Sequence, residues 1–311
     1  MSRGQLNLKA MHEIRNFKQM TEHLKSAGAR KRVAVVCPYD EDTVASIEKA
    51  YSEGIAELIL IGDDRMEKAV PDTLKNAPGV SMVKTADNDE AARHAVAMIR
   101  DGKADILMKG LINTDNFLRA ILNKEQGLLP KGALLTHLSV AQIPGYHKLL
   151  FFSDVAVIPY PTLEQRIGII NYDLSTCRKL GISEPKVALI HFTEKVNPKF
   201  PNSTDYVQLV EMAAQGEFGT VRMAGPMDAK TACDRHSAAV KGLTSDVCGD
   251  ADLLIFPNIE SGNTFYKTIT LFGGAVIAGI LQGPVCPVIL SSRSDSAESK
   301  FLSIALACVN A

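Results

Sequence analysis

The sequence has no tryptophan and few aromatic residues, 6% in all. It also has no apolar stretch of the roughly 18 residues that a membrane-spanning helix requires. The first fourteen residues lack the apolar core of a secretory signal peptide. We therefore expect no membrane association and a cytoplasmic location.

The sequence also lacks an excess of charge of either sign. Its 34 Lys and Arg residues almost balance 35 Asp and Glu residues, which gives a formal net charge of −1. Such a chain has no general attraction for nucleic acid or anionic lipid, so any basic site must be a local pocket. The six cysteines are scattered without a C-x-x-C pair, which indicates reduced thiols rather than a disulfide framework or a zinc site.

Several common catalytic motifs are missing as well. The sequence contains no Walker loop, no G-x-G-x-x-G fingerprint, no G-x-S-x-G elbow and no H-E-x-x-H spacing among its seven histidines. Asp246, Asp250 and Asp252 resemble a magnesium site, but acidic loops are common and we predict no metal.

What the sequence does contain is a repeated alternation of short apolar runs with amphipathic segments. This pattern predicts an α/β fold with parallel or mixed sheets and helices on both faces. The predicted strands are 32–40, 56–63, 81–85, 104–110, 133–143, 148–161, 186–192, 220–225, 251–257 and 287–290. A helix is expected through 267–279, between the last two of these strands.

The length of 311 residues favours two domains. We place the boundary near residue 152 and return the last strand and helix to the first domain. The predicted domains are 1–152 plus 287–311, and 153–286.

The junction at 291–300, after the last strand, predicts a site for a phosphate-bearing ligand. Ser292 and Arg293 stand where a buried strand gives way to a helix, whose N-terminal N–H groups attract oxyanions. Arg293 adds a planar fork of donors suited to phosphate. Asp295 and Glu298, in contrast, fit a capping box equally well.

Two further clusters follow predicted strands. Lys109 and Gly110 could meet a phosphate or carboxylate, with Asn113 or Thr114 capping the next helix, whereas Arg119 suits a surface ion pair by its residue type alone.

The segment 257–267 gathers Glu260, Gly262, Asn263 and Lys267, which suit either ligand binding or a turn that opens a helix. Thr162 begins another helix, where capping is the leading explanation. The polar clusters together favour an anionic substrate.

Five segments in combination resemble the phosphate acetyl/butyryltransferase family, and the butyryl branch more than the acetyl branch. They are LMKGLINTDNFLRAILNKEQGL (107–128), IPYPTLEQRIGIIN (158–171), VNPKFPNSTD (196–205), GDADLLIFPNIESGNTFYK (249–267) and AGILQGPVCPVILSSRSDSAESKFLSIALA (278–307). The resemblance implies two α/β domains of the isocitrate/isopropylmalate dehydrogenase-like type, an active site in the interdomain cleft and a homodimer or higher homo-oligomer. It also implies the exchange of an acyl group between coenzyme A, acting as a substrate, and inorganic phosphate, with no permanently bound cofactor.

The resemblance also implies residue roles. Ser292 and Arg293 match a serine-arginine pair whose arginine holds the phosphate, and Arg119 matches a second phosphate-neutralising arginine. The family's thiol base is an aspartate where this chain has Ser299, so Asp295 or Glu298 is the nearest replacement.

A second departure is Lys230, which stands where butyryl-type relatives have an aspartate; Asp228 is the nearest acid. Besides acetyl transfer, two other hypotheses stay open. One is a decarboxylating dehydrogenase of the same fold, which would use Asp246 and Asp250 with a divalent metal and a nicotinamide cofactor. The other, motivated by the two departures, is a non-catalytic acyl-CoA-binding protein.

Overall fold

The computed structural model describes residues 12–292 and 295–311. The strands within those residues are β1 (Lys31–Val36), β2 (Ala56–Gly62), β3 (Val80–Lys84), β4 (Ile106–Lys109), β5 (Thr136–Gln142), β6 (Leu150–Ser153), β7 (Lys186–Ile190), β8 (Arg222–Met227), β9 (Leu253–Ile255), β10 (Val276–Gln282) and β11 (Val288–Ile289). The helices are α1 (Phe17–Ala27), α2 (Glu41–Ser52), α3 (Arg65–Ala69), α4 (Asp72–Lys75), α5 (Asn88–Arg100), α6 (Thr114–Ile121), α7 (Leu163–Lys179), α8 (Pro201–Ala214), α9 (Ala229–Cys233), α10 (Arg235–Val240), α11 (Ile259–Leu271) and α12 (Ala297–Asn310). The predicted α/β fold with a mixed sheet and helices on both faces is confirmed.

The strands form one mixed sheet in the order β3-β2-β1-β4-β11-β10-β5-β6-β9-β7-β8. Its two flanks are parallel, β3 to β11 on one side and β6 to β8 on the other. Among the described strands, antiparallel pairing is confined to the centre, because β10 runs opposite to both β11 and β5, and β5 runs opposite to β6. The centre of the sheet is therefore where the chain direction reverses.

The alternation of side chains explains the layers on both faces. In β1, Val33 and Val35 enter one apolar cluster, while Ala34 and Val36 enter another on the opposite face. Successive side chains of a strand point to opposite faces, so both clusters need covering helices. The first cluster contains residues of α12, and the second contains residues of α5 and α6.

The helix predicted through 267–279 is wrong in its second half. α11 ends at Leu271, and the strand β10 begins at Val276. Gly274 lies between them with a φ of +62°, in the left-handed region that glycine enters without steric cost. The apolar run after this turn fills the sheet between β11 and β5.

The predicted boundary near residue 152 falls within β6, and the sheet is continuous there because β5 pairs with β6. The division into two domains stays a prediction. None of the helices in the described part of the chain is both long and apolar enough to cross a bilayer.

Candidate functional site

A cavity of about 310 Å³ lies over the central antiparallel pair, and we call it the central cavity. Its floor is formed by His137 and Ser139 of β5 together with Ile277 and Gly279 of β10. These residues share one face, since Ser139 is directly opposite Gly279 in the pairing register. The other lining residues are Thr114, Val155, Ala156, Asn263, Tyr266, Lys267, Leu290, Ser291, Ser292, Asp295, Ser299 and Ser303.

Asp295 organises the loop between β11 and α12. One carboxylate oxygen accepts a hydrogen bond from the backbone N–H of Ser292 at 2.7 Å, and the other accepts one from the Tyr266 hydroxyl at 3.2 Å. Burial, with the negative charge of Asp295 beside it, raises the pKa of Tyr266, so the phenol stays a neutral donor. Asp295 thus ties the loop to α11.

The start of α12 differs from the capping box expected at Asp295 and Glu298. The N-cap is Ser296, whose hydroxyl accepts a hydrogen bond from the Ser299 N–H at 3.3 Å. The N–H of Ala297 donates to the carboxylate of Asp42 at 3.1 Å. A serine replaces the expected cap because the Asp295 carboxylate closes the preceding loop instead.

Helix α11 forms the opposite wall, where Asn263 and Lys267 line the cavity. The Asn263 side chain donates to the carbonyl of Val155 at 3.0 Å. Gly262 is buried where α11 contacts the loop after β6. A Cβ at this position would lie 2.3 Å from the carbonyl oxygen of Asp154. Glycine at this position is what allows α11 to approach the loop after β6.

Asp154 fastens that loop to β5. Its carboxylate accepts hydrogen bonds from the Thr136 hydroxyl at 2.9 Å and from the backbone N–H groups of Ala156 and Val157 at 2.7 and 2.9 Å. It also accepts a longer bond of 3.2 Å from the backbone N–H of His137. The first residue of β5 and the cavity residues after β6 are therefore held as one unit.

The imidazole of His137 lies in the cavity floor. Its Nδ1 is 3.5 Å from the Ser139 hydroxyl, and its Cε1–Nε2 edge rests on Gly279. Burial lowers the pKa of His137, and the nearby carboxylates of Asp154 and Asp295 oppose that effect only in part. The ring is therefore in its neutral form near neutral pH.

The family model and the sequence relatives indicate the same family. Residues 79–308, which include every residue lining the central cavity, match the family model described as "phosphate acetyl/butaryl transferase". The phosphate butyryltransferase of Clostridium acetobutylicum is 39% identical over 299 residues, covering 95% of this chain and 98% of that protein. The chain belongs to this family.

Solved structures of similar fold include a branched-chain phosphotransacylase from Enterococcus faecalis. It is 31% identical with a TM-score of 0.77, covering 90% of this chain and 98% of its own. A putative 4-hydroxythreonine-4-phosphate dehydrogenase from Salmonella typhimurium has a TM-score of 0.57 at 13% identity. The match covers 91% of this chain and 100% of that chain. This second likeness shows only a shared fold, and it supports the dehydrogenase-like architecture that the sequence predicted.

Five of the predicted site residues line the central cavity, namely Thr114, Asn263, Lys267, Ser292 and Asp295. Ser299, which stands where the resemblance implies an aspartate, lines the cavity as well. Arg293, the residue expected to hold phosphate, lies outside the described residues, between Ser292 and Asp295. Its role stays a prediction.

Other predicted site residues have structural partners elsewhere. Lys109 is buried at the end of β4, and a Cβ on Gly110 would lie 2.3 Å from the carbonyl oxygen of Cys37, so that glycine permits a close contact with the end of β1. Thr162 caps α7 in a capping box with Gln165. Their parts in substrate binding stay predictions.

Three more predicted residues are exposed. Glu260 accepts a hydrogen bond from the Tyr160 hydroxyl at 2.9 Å, and Glu298 lies in the first turn of α12. Arg119 lines a different cavity, of about 780 Å³, with Arg93 and Arg100. Neither glutamate is among the residues that line the central cavity.

Sequence reasoning missed the floor of the cavity, above all His137, Ser139 and Gly279. The available signal was that His137 and Ser139 occupy alternate positions of a mostly buried strand, since alternate residues share a face. Tyr266 and Ser303, on helices, carried no such signal.

Proposed function

We propose that this protein exchanges an acyl group between coenzyme A and inorganic phosphate, butyryl-CoA plus phosphate giving butyryl phosphate plus CoA. The carrying observation is the 39% identity to a phosphate butyryltransferase over 95% of the chain, a stretch long enough to include the central cavity. Coenzyme A is a substrate here, and no permanently bound cofactor is needed for the reaction.

The polar side of the central cavity suits the phosphoryl group. Ser291, Ser292 and Ser299 supply hydroxyls beside the start of α12, whose N-terminus favours negative charge. Arg293 follows Ser292 directly in sequence and is expected to supply the cationic fork. These groups would stabilise charge on the phosphate as it leaves an acyl phosphate.

The other side of the cavity suits a short acyl chain. Val155, Ala156, Ile277 and Leu290 provide apolar side chains beside the polar wall. Burying each methylene of an acyl chain against such a surface contributes about 0.8 kcal/mol. The cavity therefore favours butyryl or a branched short acyl group over acetyl.

Transfer is proposed to be direct, in a ternary complex. The CoA thiolate and phosphate exchange places on the acyl carbon, so a positioned pair of substrates is sufficient and no acyl-protein intermediate is needed. We propose further that the protein works in the cytoplasm as a homodimer or higher homo-oligomer.

The test is the release of free CoA thiol from acetyl-, propionyl-, butyryl- and branched acyl-CoA, each with and without phosphate. We expect phosphate-dependent release with the highest kcat/KM for a four- or five-carbon acyl group. CoA binding without phosphate-dependent release would contradict the proposal and favour the non-catalytic hypothesis. Metal-dependent NADH formation would favour the dehydrogenase hypothesis instead.

A further inference from the structure

His137 lines the central cavity but has no role in the proposed phosphate site. It is buried in the middle of a mixed sheet, where an apolar side chain would be the ordinary occupant. Gly279 makes room for it, because a Cβ there would lie 2.9 Å from Cε1 and 3.1 Å from Nε2 of the imidazole. The sheet is thus shaped around an imidazole that lines the substrate cavity.

The groups around this imidazole come from four elements. Asp154 approaches from the loop after β6, and Asp295 from the loop before α12. Tyr266 and Lys267 of α11 line the same cavity. Ser139 is the neighbour on β5 itself, at 3.5 Å. Two carboxylates near a desolvated imidazole can stabilise the imidazolium that forms when the ring accepts a proton.

We propose that His137 is the proton-transfer group of the acyl exchange, taking the proton from the thiol of coenzyme A and returning it in the reverse direction. This proposal rests on the proposed function. It assigns the base to a residue of the cavity floor rather than to the start of α12.

The proton and electron balance is complete with the two substrates and this one residue. Toward acyl-CoA, the thiol proton moves to the imidazole, the thiolate forms the C–S bond, and the C–O bond to phosphate breaks. Phosphate leaves with that electron pair and takes up the proton from His137. In the reverse direction, His137 receives the proton of hydrogen phosphate as its oxygen attacks the thioester, and delivers it to the departing thiolate.

The carboxylates at the start of α12 are less suited to this role. Both oxygens of Asp295 already accept hydrogen bonds, from Ser292 and Tyr266. Glu298 is exposed and is not among the cavity-lining residues. A thiol with a pKa of about 8.5 also transfers its proton more readily to an imidazole than to an ordinary carboxylate of pKa about 4. Ser299, which replaces the aspartate of relatives, has no basic group.

The experiment compares His137→Gln with wild type in the formation of butyryl-CoA from butyryl phosphate and CoA, from pH 5 to 9. We expect kcat at pH 7 to fall about 100-fold with little change in KM, because general base catalysis contributes about 10²–10⁴-fold. The difference in kcat between the variant and the wild type should shrink toward pH 9, because more of the CoA thiol is then already ionised without a base. His94→Gln, at an exposed position of α5, is the matched control and should keep the wild-type profile.

The outcomes separate the two proposals. Wild-type protein without phosphate-dependent transfer would overturn the proposed function and the assignment of His137 with it. If the wild type is active and His137→Gln has the same kcat and the same loss of activity at low pH, only the assignment of His137 is overturned. A loss confined to KM would likewise show that His137 binds substrate without transferring the proton.

A measurement on the unaltered enzyme covers the case in which the variant does not fold. The pKa that limits the wild-type rate at low pH should change with temperature as the pKa of an imidazole does. Imidazole ionisation has a large enthalpy, whereas carboxylate ionisation does not. A temperature-independent pKa would identify a carboxylate as the base and overturn the proposal.

Discussion

Two carboxylates, Asp295 in the central cavity and Asp154 beside it, position the groups around them. Asp295 holds Ser292 and Tyr266, and Asp154 holds Thr136 and the loop after β6, so both carboxylates fix the geometry of neighbouring groups. Side chains locked by such bonds are suited to hold substrates in a fixed orientation. The two carboxylates therefore hold the geometry of the central cavity through bonds within the protein.

Arg293→Ala tests the proposed phosphate site. We expect acyl transfer to fall by about 10²–10³-fold, because one preorganised donor to developing charge contributes about that much. The measurement is the initial rate of thiol release from butyryl-CoA at saturating phosphate. Arg222→Ala is the control, since Arg222 lies on the edge strand β8 and its ion pair with Glu184 is exposed. A near-normal rate in Arg293→Ala would remove that arginine from the mechanism.

At the scale of elements, the site depends on how closely α11 approaches the loop after β6. Gly262 allows that approach, and Asn263 on the next position bonds to the same loop. The cavity wall is therefore positioned by one small residue of a helix.

Gly262→Ala should destabilise the protein by about 1–3 kcal/mol, because its Cβ would overlap the Asp154 carbonyl oxygen and force α11 outward. Transfer activity should fall as well, since Asn263 and Lys267 would move. Urea unfolding and butyryl-CoA assays measure the two effects.

Gly168→Ala on α7 is the matched control. Its Cβ would meet the flexible end of the Leu134 side chain at 3.2 Å and the Leu134 Cβ at an ordinary contact distance of 3.9 Å. Since alanine favours the helix by about 0.5–1 kcal/mol, this variant should remain within about 1 kcal/mol of wild type. Equal stability of the two glycine variants would show that the close approach of α11 is not required.

For the whole molecule, an ion-pair network joins the strands of the second flank. Asp250 pairs with Lys148 before β6 at 3.3 Å and with Lys186 of β7 at 2.5 Å. Lys148 also pairs with Asp252 at 2.5 Å, before β9. Two of the three acidic residues that resemble a magnesium site in the sequence, Asp250 and Asp252, are therefore paired with lysines on or beside neighbouring strands.

This network predicts a pH dependence of stability. Burial alone would raise the pKa of Asp250, but bonds from Lys186, Lys148 and His147 outweigh it and hold the pKa far below its usual value. Because the folded pKa lies below the unfolded value of about 4, the stabilisation is complete above that pH and is lost as the pH falls below it.

Asp250→Asn should therefore lower the free energy of unfolding at pH 7 by about 3 kcal/mol, the cost of leaving partly buried lysines without their partner. The difference from wild type should shrink between pH 5 and pH 2 in urea titrations. Asp101→Asn, which removes an exposed pair with Lys103, should change little. A pH-independent difference for Asp250→Asn would contradict the assigned cause.

The sequence by itself determined the alternation of strands and helices, the family, and the polar segments that contribute one wall of the cavity. These properties follow from local periodicity and from residues that are close in sequence. It did not reveal β10, because the apolar run after Gly274 reads equally well as helix or strand until its neighbours in the sheet are known.

Only the tertiary structure decided that His137, Gly279 and Asp295 surround one cavity. These residues lie on β5, on β10 and before α12, more than a hundred positions apart in the extreme case, and pairing across the sheet brings them together. The tertiary structure also showed that Glu260 and Glu298 are exposed and that Arg119 lines another cavity. The physical reason is that strand order and helix packing, rather than local pattern, determine which side chains share a face.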